Sequence, residues 1–251
     1  MWLLCVVGEV ESVTQLLDII YILPSRSSTV MRFDAVSHQR QTDIDVISMM
    51  SPHDIVACQQ TSSLYVADFM NVWRLSPDGT NVENWLPDVK PWTLSVTFSR
   101  LLVTSPETKQ LVQFDASGNE LRRVSLQSYI VPRHAVESPS GTFIVSHNNS
   151  KLERDEISEL DKNGVILRQF CGSPLRWPDR LAVDSRGNVV VADCYNCCIL
   201  LLSRKLKLRR VIVTEHQLNY KPLRGVWLME QTGRLLAPSV NSIAVFYIPT
   251  G

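Results

Sequence analysis

The chain has 251 residues, 45% hydrophobic and 20% charged, enough for one large all-β domain or two smaller domains with a well-buried core. Its 25 basic and 25 acidic residues cancel, so no global field draws it toward nucleic acid or an anionic membrane. No apolar run reaches bilayer-crossing length, and the six cysteines follow no disulfide-framework spacing, in keeping with a reducing, cytoplasmic setting.

In chain order, the first predicted element is an apolar strand, Trp2 to Val7 ("WLLCVV"), without the basic region or small-residue cleavage site of a signal peptide. A unit "LLDIIYILPSRSSTVMRFDAVSHQRQTDIDV" follows. Five further units then each open on a proline: Pro52, Pro91, Pro132, Pro178 and Pro222, at spacings of 39, 41, 46 and 44 residues. Each reads alike. An apolar strand leads to a turn such as Ser185-Arg186-Gly187-Asn188, and a second apolar strand ends at a polar residue, as in "YVAD", "FIVS" and "VVAD". A third strand ends in a turn such as Asp115-Ala116-Ser117-Gly118 or Asp161-Lys162-Asn163-Gly164, and a weaker fourth run follows. Repetition of four short strands every 40 residues or so is the signature of propeller blades. No segment has helical periodicity, and runs such as "VVVA" and "ILLL" fit strands covered on both faces by neighbouring blades.

The fold class is therefore all-β: a six-bladed β-propeller of four-stranded antiparallel blades, read as one domain with blades at roughly 12–48, 49–88, 89–128, 129–172, 173–218 and 219–251 plus 1–10. The last unit supplies three strands, so the ring is predicted to close through the N-terminal strand, which removes an open sheet edge.

The unit from Pro178 to Ser203 closely resembles the NHL repeat. Its marks are Pro178, Leu181-Ala182-Val183-Asp184, Gly187-Asn188, Val191-Ala192-Asp193, Asn196 and Ile199. The unit at Pro52 matches through Ile55-Val56-Ala57, Tyr65-Val66-Ala67-Asp68 and Asn71. Elsewhere the pattern is degenerate, with Thr104, Ser146 and Pro238 where the family has Ala. The resemblance implies a six-bladed ring whose exposed faces bind partners. The repetition of Asp68 and Asp193 argues that they fix turns rather than act as metal ligands or acid–base groups.

Residues just after the opening prolines should gather at one mouth of the channel: His53 and Asp54, Trp92 and Thr93, Arg133 and His134, Asp179 and Arg180, Leu223 and Arg224. Asn71, His147, Asn148, Asn196 and Asn241 should join them from the loops between second and third strands. Arg133, Arg180 and Arg224 would grip an anionic group, and Trp92 would offer a stacking surface. The same residues also read as a solvated rim compensated by Asp54 and Asp179. The ligand-binding set is thus Arg133, His134, Arg180, Arg224, Trp92, His53, Asp54 and Asp179, with no catalytic residue, metal or cofactor assigned.

The function expected of this set is that of a non-enzymatic, monomeric binding or scaffold module that takes a protein or peptide segment, or a small anionic ligand, at the channel mouth and involves no membrane. A second reading is a metal-dependent hydrolase or lyase like the regucalcin and paraoxonase families, with Asp54, Asp179 and Glu137, or His53, His134 and His147, around a metal. A third is a single-stranded-RNA-binding NHL domain. For that third reading the sequence offers "SRKLKLRR" (203–210), five basic residues in eight, which also fits the solvated face of an outer strand. The C-x-x-C spacing within "CYNCC" has no second pair to complete a zinc site, and Cys58 and Cys171 read as small core residues.

Overall fold

The structure is a computed structural model and describes residues 2–5, 9–170, 175–218, 222–239 and 241–247. It is a closed ring of six four-stranded antiparallel sheets. The N-terminal strand β1 (Trp2–Cys5) belongs to the last of them. Blade 1 is β2 (Val10–Leu16), β3 (Ile19–Pro24), β4 (Thr29–Asp34) and β5 (Ile44–Asp45). Blade 2 is β6 (Asp54–Cys58), β7 (Ser63–Ala67), β8 (Val72–Leu75) and β9 (Val82–Leu86). Blade 3 is β10 (Thr93–Thr97), β11 (Arg100–Ser105), β12 (Gln110–Phe114) and β13 (Glu120–Ser125). Blade 4 is β14 (Ile130–Glu137), β15 (Phe143–Asn149), β16 (Arg154–Leu160) and β17 (Ile166–Gln169). Blade 5 is β18 (Pro178–Val183), β19 (Val189–Asp193), β20 (Cys198–Leu202) and β21 (Leu208–Val213). Blade 6 is β22 (Trp227–Met229), β23 (Arg234–Ser239) and β24 (Ser242–Tyr247), with β1 as its outermost strand.

The predicted closure is observed: β1 runs antiparallel to β24, with Trp2 opposite Val245 and Cys5 opposite Ser242. Residues 6–7 of the predicted strand lie outside the described residues. The core is divided among the blade junctions rather than gathered at a centre. Six apolar clusters fill the six junctions, and the one that closes the ring joins Leu4, Ile243 and Val245 to Val10, Val13 and Ile20. Each second strand is therefore covered on both sides; all five residues of β19 are buried. Among the described residues the one helical element is a 3₁₀ turn at Glu230–Thr232.

The turn between β16 and β17 shows how the sequence sets the bends. Asp161 accepts from the amides of Asn163 and Val165, both at 2.8 Å, and Gly164 completes the turn at φ +82°. A side chain there would also meet the Ser125 carbonyl at 2.8 Å, so both backbone conformation and space call for glycine.

Candidate functional site

Antiparallel blades put the start of every first strand and the loop after every second strand at one face of the ring. At that face the inner strands β2, β6, β10, β14, β18 and β22 surround a channel cavity of about 180 Å³. Its end is closed by an interlocked polar cluster. Arg180 of blade 5 reaches Asp54 of blade 2, opposite it in the ring, at 3.1 Å. Asp54 also accepts from Ser12 Oγ of blade 1 at 2.8 Å and from the Leu94 amide of blade 3 at 2.7 Å. His134 of blade 4 bridges its neighbours: Nδ1 accepts from the Leu181 amide and Nε2 lies 3.2 Å from the Leu94 carbonyl. Those partners fix the neutral tautomer with hydrogen on Nε2. Burial, helped by the charge of Arg180, lowers the imidazole to about 4, so it stays uncharged near neutrality.

The three mouth arginines do not converge on one open site. Arg180 is held by Asp54, Arg133 by Asp155 at 2.6 Å, and the exposed Arg224 by Glu9. Asp179 lies beside Arg180, and burial pushes its carboxyl upward against the pull of that guanidinium. Trp92 is about half exposed and packs against His53, ring centroids 5.4 Å apart. The His53 nitrogens lie 3.1 Å from the Ser51 carbonyl and 3.2 Å from that of Pro91. His147 is buried within β15, its Nε2 2.9 Å from Ser158 Oγ, and Asn148 donates to Asp155. Glu137, at the far end of the channel, is bound by Arg100 and Gln113. Among the described residues, no three His, Cys, Asp or Glu side chains converge as a metal site requires.

Between blades 4 and 5 the same face carries a feature the sequence reading did not nominate. A cleft of about 260 Å³ is lined by Asn148, Glu153, Arg154, Asp155, Leu175, Arg176, Trp177 and Tyr195. The rings of Trp177 and Tyr195 lie 5.8 Å apart, tilted by 49°. Beneath Trp177 the Arg133 guanidinium sits 3.9 Å from the ring centroid, close enough for a strong cation–π contact. The Trp177 backbone is left-handed, φ +64°, a strained state for a bulky residue. It is held by Asp155, which accepts the Trp177 amide at 2.7 Å, and by the Cys194 amide, which donates to the Trp177 carbonyl. The sequence signal was the aromatic residue immediately before the strand-opening proline, paired with one inside the loop after "VVAD". In the unit at Pro52 those two positions are Ser51 and Met70, with Phe69 at the position of Cys194.

Asp68 and Asp193 do serve the loops. Asp68 accepts from the amides of Met50, Met70 and Asn71 and from the Trp73 indole. Burial raises its carboxyl, but these donors outweigh it and the net shift is downward. Asp193 has the Arg176 amide at 2.8 Å and Asn196 Nδ2 at 2.7 Å, while Cys198 stands where Asp68 has an indole donor. Burial therefore dominates and lifts Asp193 to about 6, with the charge of Asp155 adding to the effect. A carboxyl raised in the fold stabilises while neutral. Its contribution, about 3 kcal/mol, is complete below the unfolded value and is lost as pH rises through about 6. Carboxyl-carbon NMR is expected to give Asp193 a midpoint near pH 6 and Asp68 one below 3.8; a normal midpoint for Asp193 would contradict the burial argument.

The cysteines read as packing residues. Cys58 and Cys194 are core members; Cys194, Cys197 and Cys198 are free thiols, all raised by burial, Cys198 to about 12. Cys171 lies outside the described residues.

Comparison with known proteins agrees with this architecture. The model of the NHL repeat matches residues 175–200. No curated protein matches the chain by sequence. Among solved structures, a gluconolactonase from Xanthomonas campestris superposes with a TM-score of 0.75 at 13% identity, over 98% of this chain and 89% of the other. A virginiamycin B lyase from Staphylococcus aureus gives 0.67 at 9% identity, over 100% and 89%. A chain of a nidogen/laminin complex gives 0.65 at 13% identity, over 84% and 82%. At such identities the likeness concerns the fold alone. The chain is thus a six-bladed β-propeller, and one of its units, residues 175–200, matches the NHL repeat.

Proposed function

We propose that the protein is a non-enzymatic binding module that takes a segment of a partner protein on the face where the inner strands begin. The observation that carries this reading is a division of labour on that face. Its mouth arginines are spent on carboxylates, Arg180 on Asp54, Arg133 on Asp155 and Arg224 on Glu9, whereas four aromatic side chains are left to solvent: Trp177, Trp92, Tyr195 and Phe69 are 42, 48, 59 and 65% exposed. Exposed aromatic groups on a rigid frame are the usual anchors of protein recognition. Asp54, Arg180 and His134 keep the frame rigid. Arg133 and Asp155 fix Trp177, and His53 packs on Trp92. Because the loops are already ordered, little entropy is lost when a segment docks. Arg224, exposed at the rim, and Asp179 lie beside the path such a segment would take.

The test is selection of peptides from a displayed random library, followed by affinity measurement on variants. Selected peptides are expected to lose roughly tenfold or more in affinity with Trp177→Ala and with Tyr195→Ala. They should keep their affinity with Phe98→Ala, which removes a still more exposed ring from the opposite face. Peptides indifferent to both Trp177 and Tyr195, or a library that yields no binders, would overturn the proposal.

A further inference from the structure

The outer strand of blade 5 stands apart from the other outer strands in its charge. Arg204, Lys205, Lys207, Arg209 and Arg210 lie on β21 and the turn leading into it, and all are exposed. Among the described residues none of the five takes part in an ion pair; Arg209 alone reaches a polar side chain, the amide oxygen of Asn188. Three other outer strands hold ion pairs, although among the described residues Arg122 of β13 has none and lies over the Phe143 ring. Glu83 of β9 meets Arg74, Arg123 of β13 meets Glu120, and Arg168 of β17 meets Glu159. In a chain of zero net charge, five uncompensated cations on one edge are a local departure.

Protection of the sheet edge does not account for it. Edge strands are commonly blunted by bulges or by lysine. The pairing of β21 with β20 is bulged twice, but β9, β13 and β17 carry bulges as well and have no such charge. The uncharged β1 occupies the same outermost position in blade 6. Between the cations, Leu208 and Val211 are left nearly half exposed. The stripe thus alternates basic heads with aliphatic side chains, and residues 203–213 contain no aromatic ring on which a base could stack or a lipid interface anchor.

We infer that the outer edge of blade 5 is a second docking surface, built for an extended acidic segment of a partner protein that also carries aliphatic residues. The bulges interrupt the edge's hydrogen-bonding register, so side chains rather than a continued ladder hold the segment. This surface is independent of the aromatic face.

The probe is a labelled synthetic peptide alternating glutamate and leucine, compared by anisotropy with an oligouridylate of equal length and by co-flotation with phosphatidylserine vesicles. The peptide is expected to bind the intact protein, more weakly as salt is added. Lys205→Glu/Lys207→Glu/Arg210→Glu should weaken it roughly tenfold or more, Trp177→Ala should not, and the glutamine triple variant should fall between. Equal binding to the protein and the glutamate triple variant would overturn the inference, as would tighter binding of oligouridylate or vesicles through these three residues. The melting temperature of each variant is read alongside, and the glutamine variant decides the matter should charge reversal unfold the blade.

Discussion

Asp54→Ala is expected to cost about 3–5 kcal/mol of folding stability, the range for removing one partner of a buried ion pair. The carboxylate gathers Ser12 Oγ at 2.8 Å, the Leu94 amide at 2.7 Å and Arg180 at 3.1 Å, drawing on blades 1, 3 and 5 from its own place in blade 2. Alanine would take from the Arg180 guanidinium its ion-pair partner inside the ring, leaving it only the neighbouring Asp179, and would leave the Leu94 amide without its acceptor, a second penalty of about 1–3 kcal/mol that overlaps the first. Asp54→Leu combined with Arg180→Met should recover most of the loss, because an apolar pair needs no desolvation. Urea unfolding of the single and double variants distinguishes the cases. A loss below about 1 kcal/mol for Asp54→Ala would mean that the cross-channel pair is solvated and does not fasten the ring.

The second large effect concerns closure. Leu4 is buried among Ile243, Val245 and Leu236 in the cluster that joins blade 6 to blade 1. Leu4→Ala should cost about 2–4 kcal/mol, within the range for a buried leucine. Removal of the whole strand β1 goes further, since it also strips the hydrogen bonds to β24 and bares that edge. The shortened protein is expected to melt at lower temperature than Leu4→Ala and to elute as larger, associated species on gel filtration. A monomer with an unchanged melt would show that blades 6 and 1 hold each other without the strand.

The repeat was legible because a blade is a local object. Its proline, its turns and its polar strand end all fall within about 45 residues, and six copies leave little freedom. The first strand of blade 1 is the least legible, for an equally local reason. Val10–Leu16 reads "VESVTQL", with Glu11, Ser12, Thr14 and Gln15 interrupting the apolar run, and no proline precedes it. Ring closure could be read from a count of strands, since a three-stranded last unit leaves one free place.

The site was legible in position but not in pairing. Asp54, His134 and Arg180, each two residues after a strand-opening proline, line the channel cavity, whereas Trp92, Arg133 and Arg224 do not. Yet Arg180 and Asp54 are 126 positions apart and Arg133 and Asp155 are 22 apart, and nothing linear shows that each basic group meets its acid. A reading that adds three arginines into one anion site omits the carboxylates that fold back onto them. The aromatic pair was missed because Trp177 and Tyr195 lie beside and between the repeat's marks, Pro178, Asp193 and Asn196, rather than on them. What joins them is a left-handed backbone at Trp177 and an arginine stacked from the neighbouring blade, both products of tertiary structure.

The most direct measurement is an NMR titration of isotope-labelled protein with a library-selected peptide, followed at the tryptophan indoles and the backbone amides. Shifts are expected at the Trp177 and Trp92 indoles and at the amides around Phe69 and Tyr195, with residues around Phe98 and Glu137 at the other end of the channel unmoved. Shifts confined to that opposite end, or to the outer strands, would contradict the claim that the aromatic face is where this propeller meets its partner.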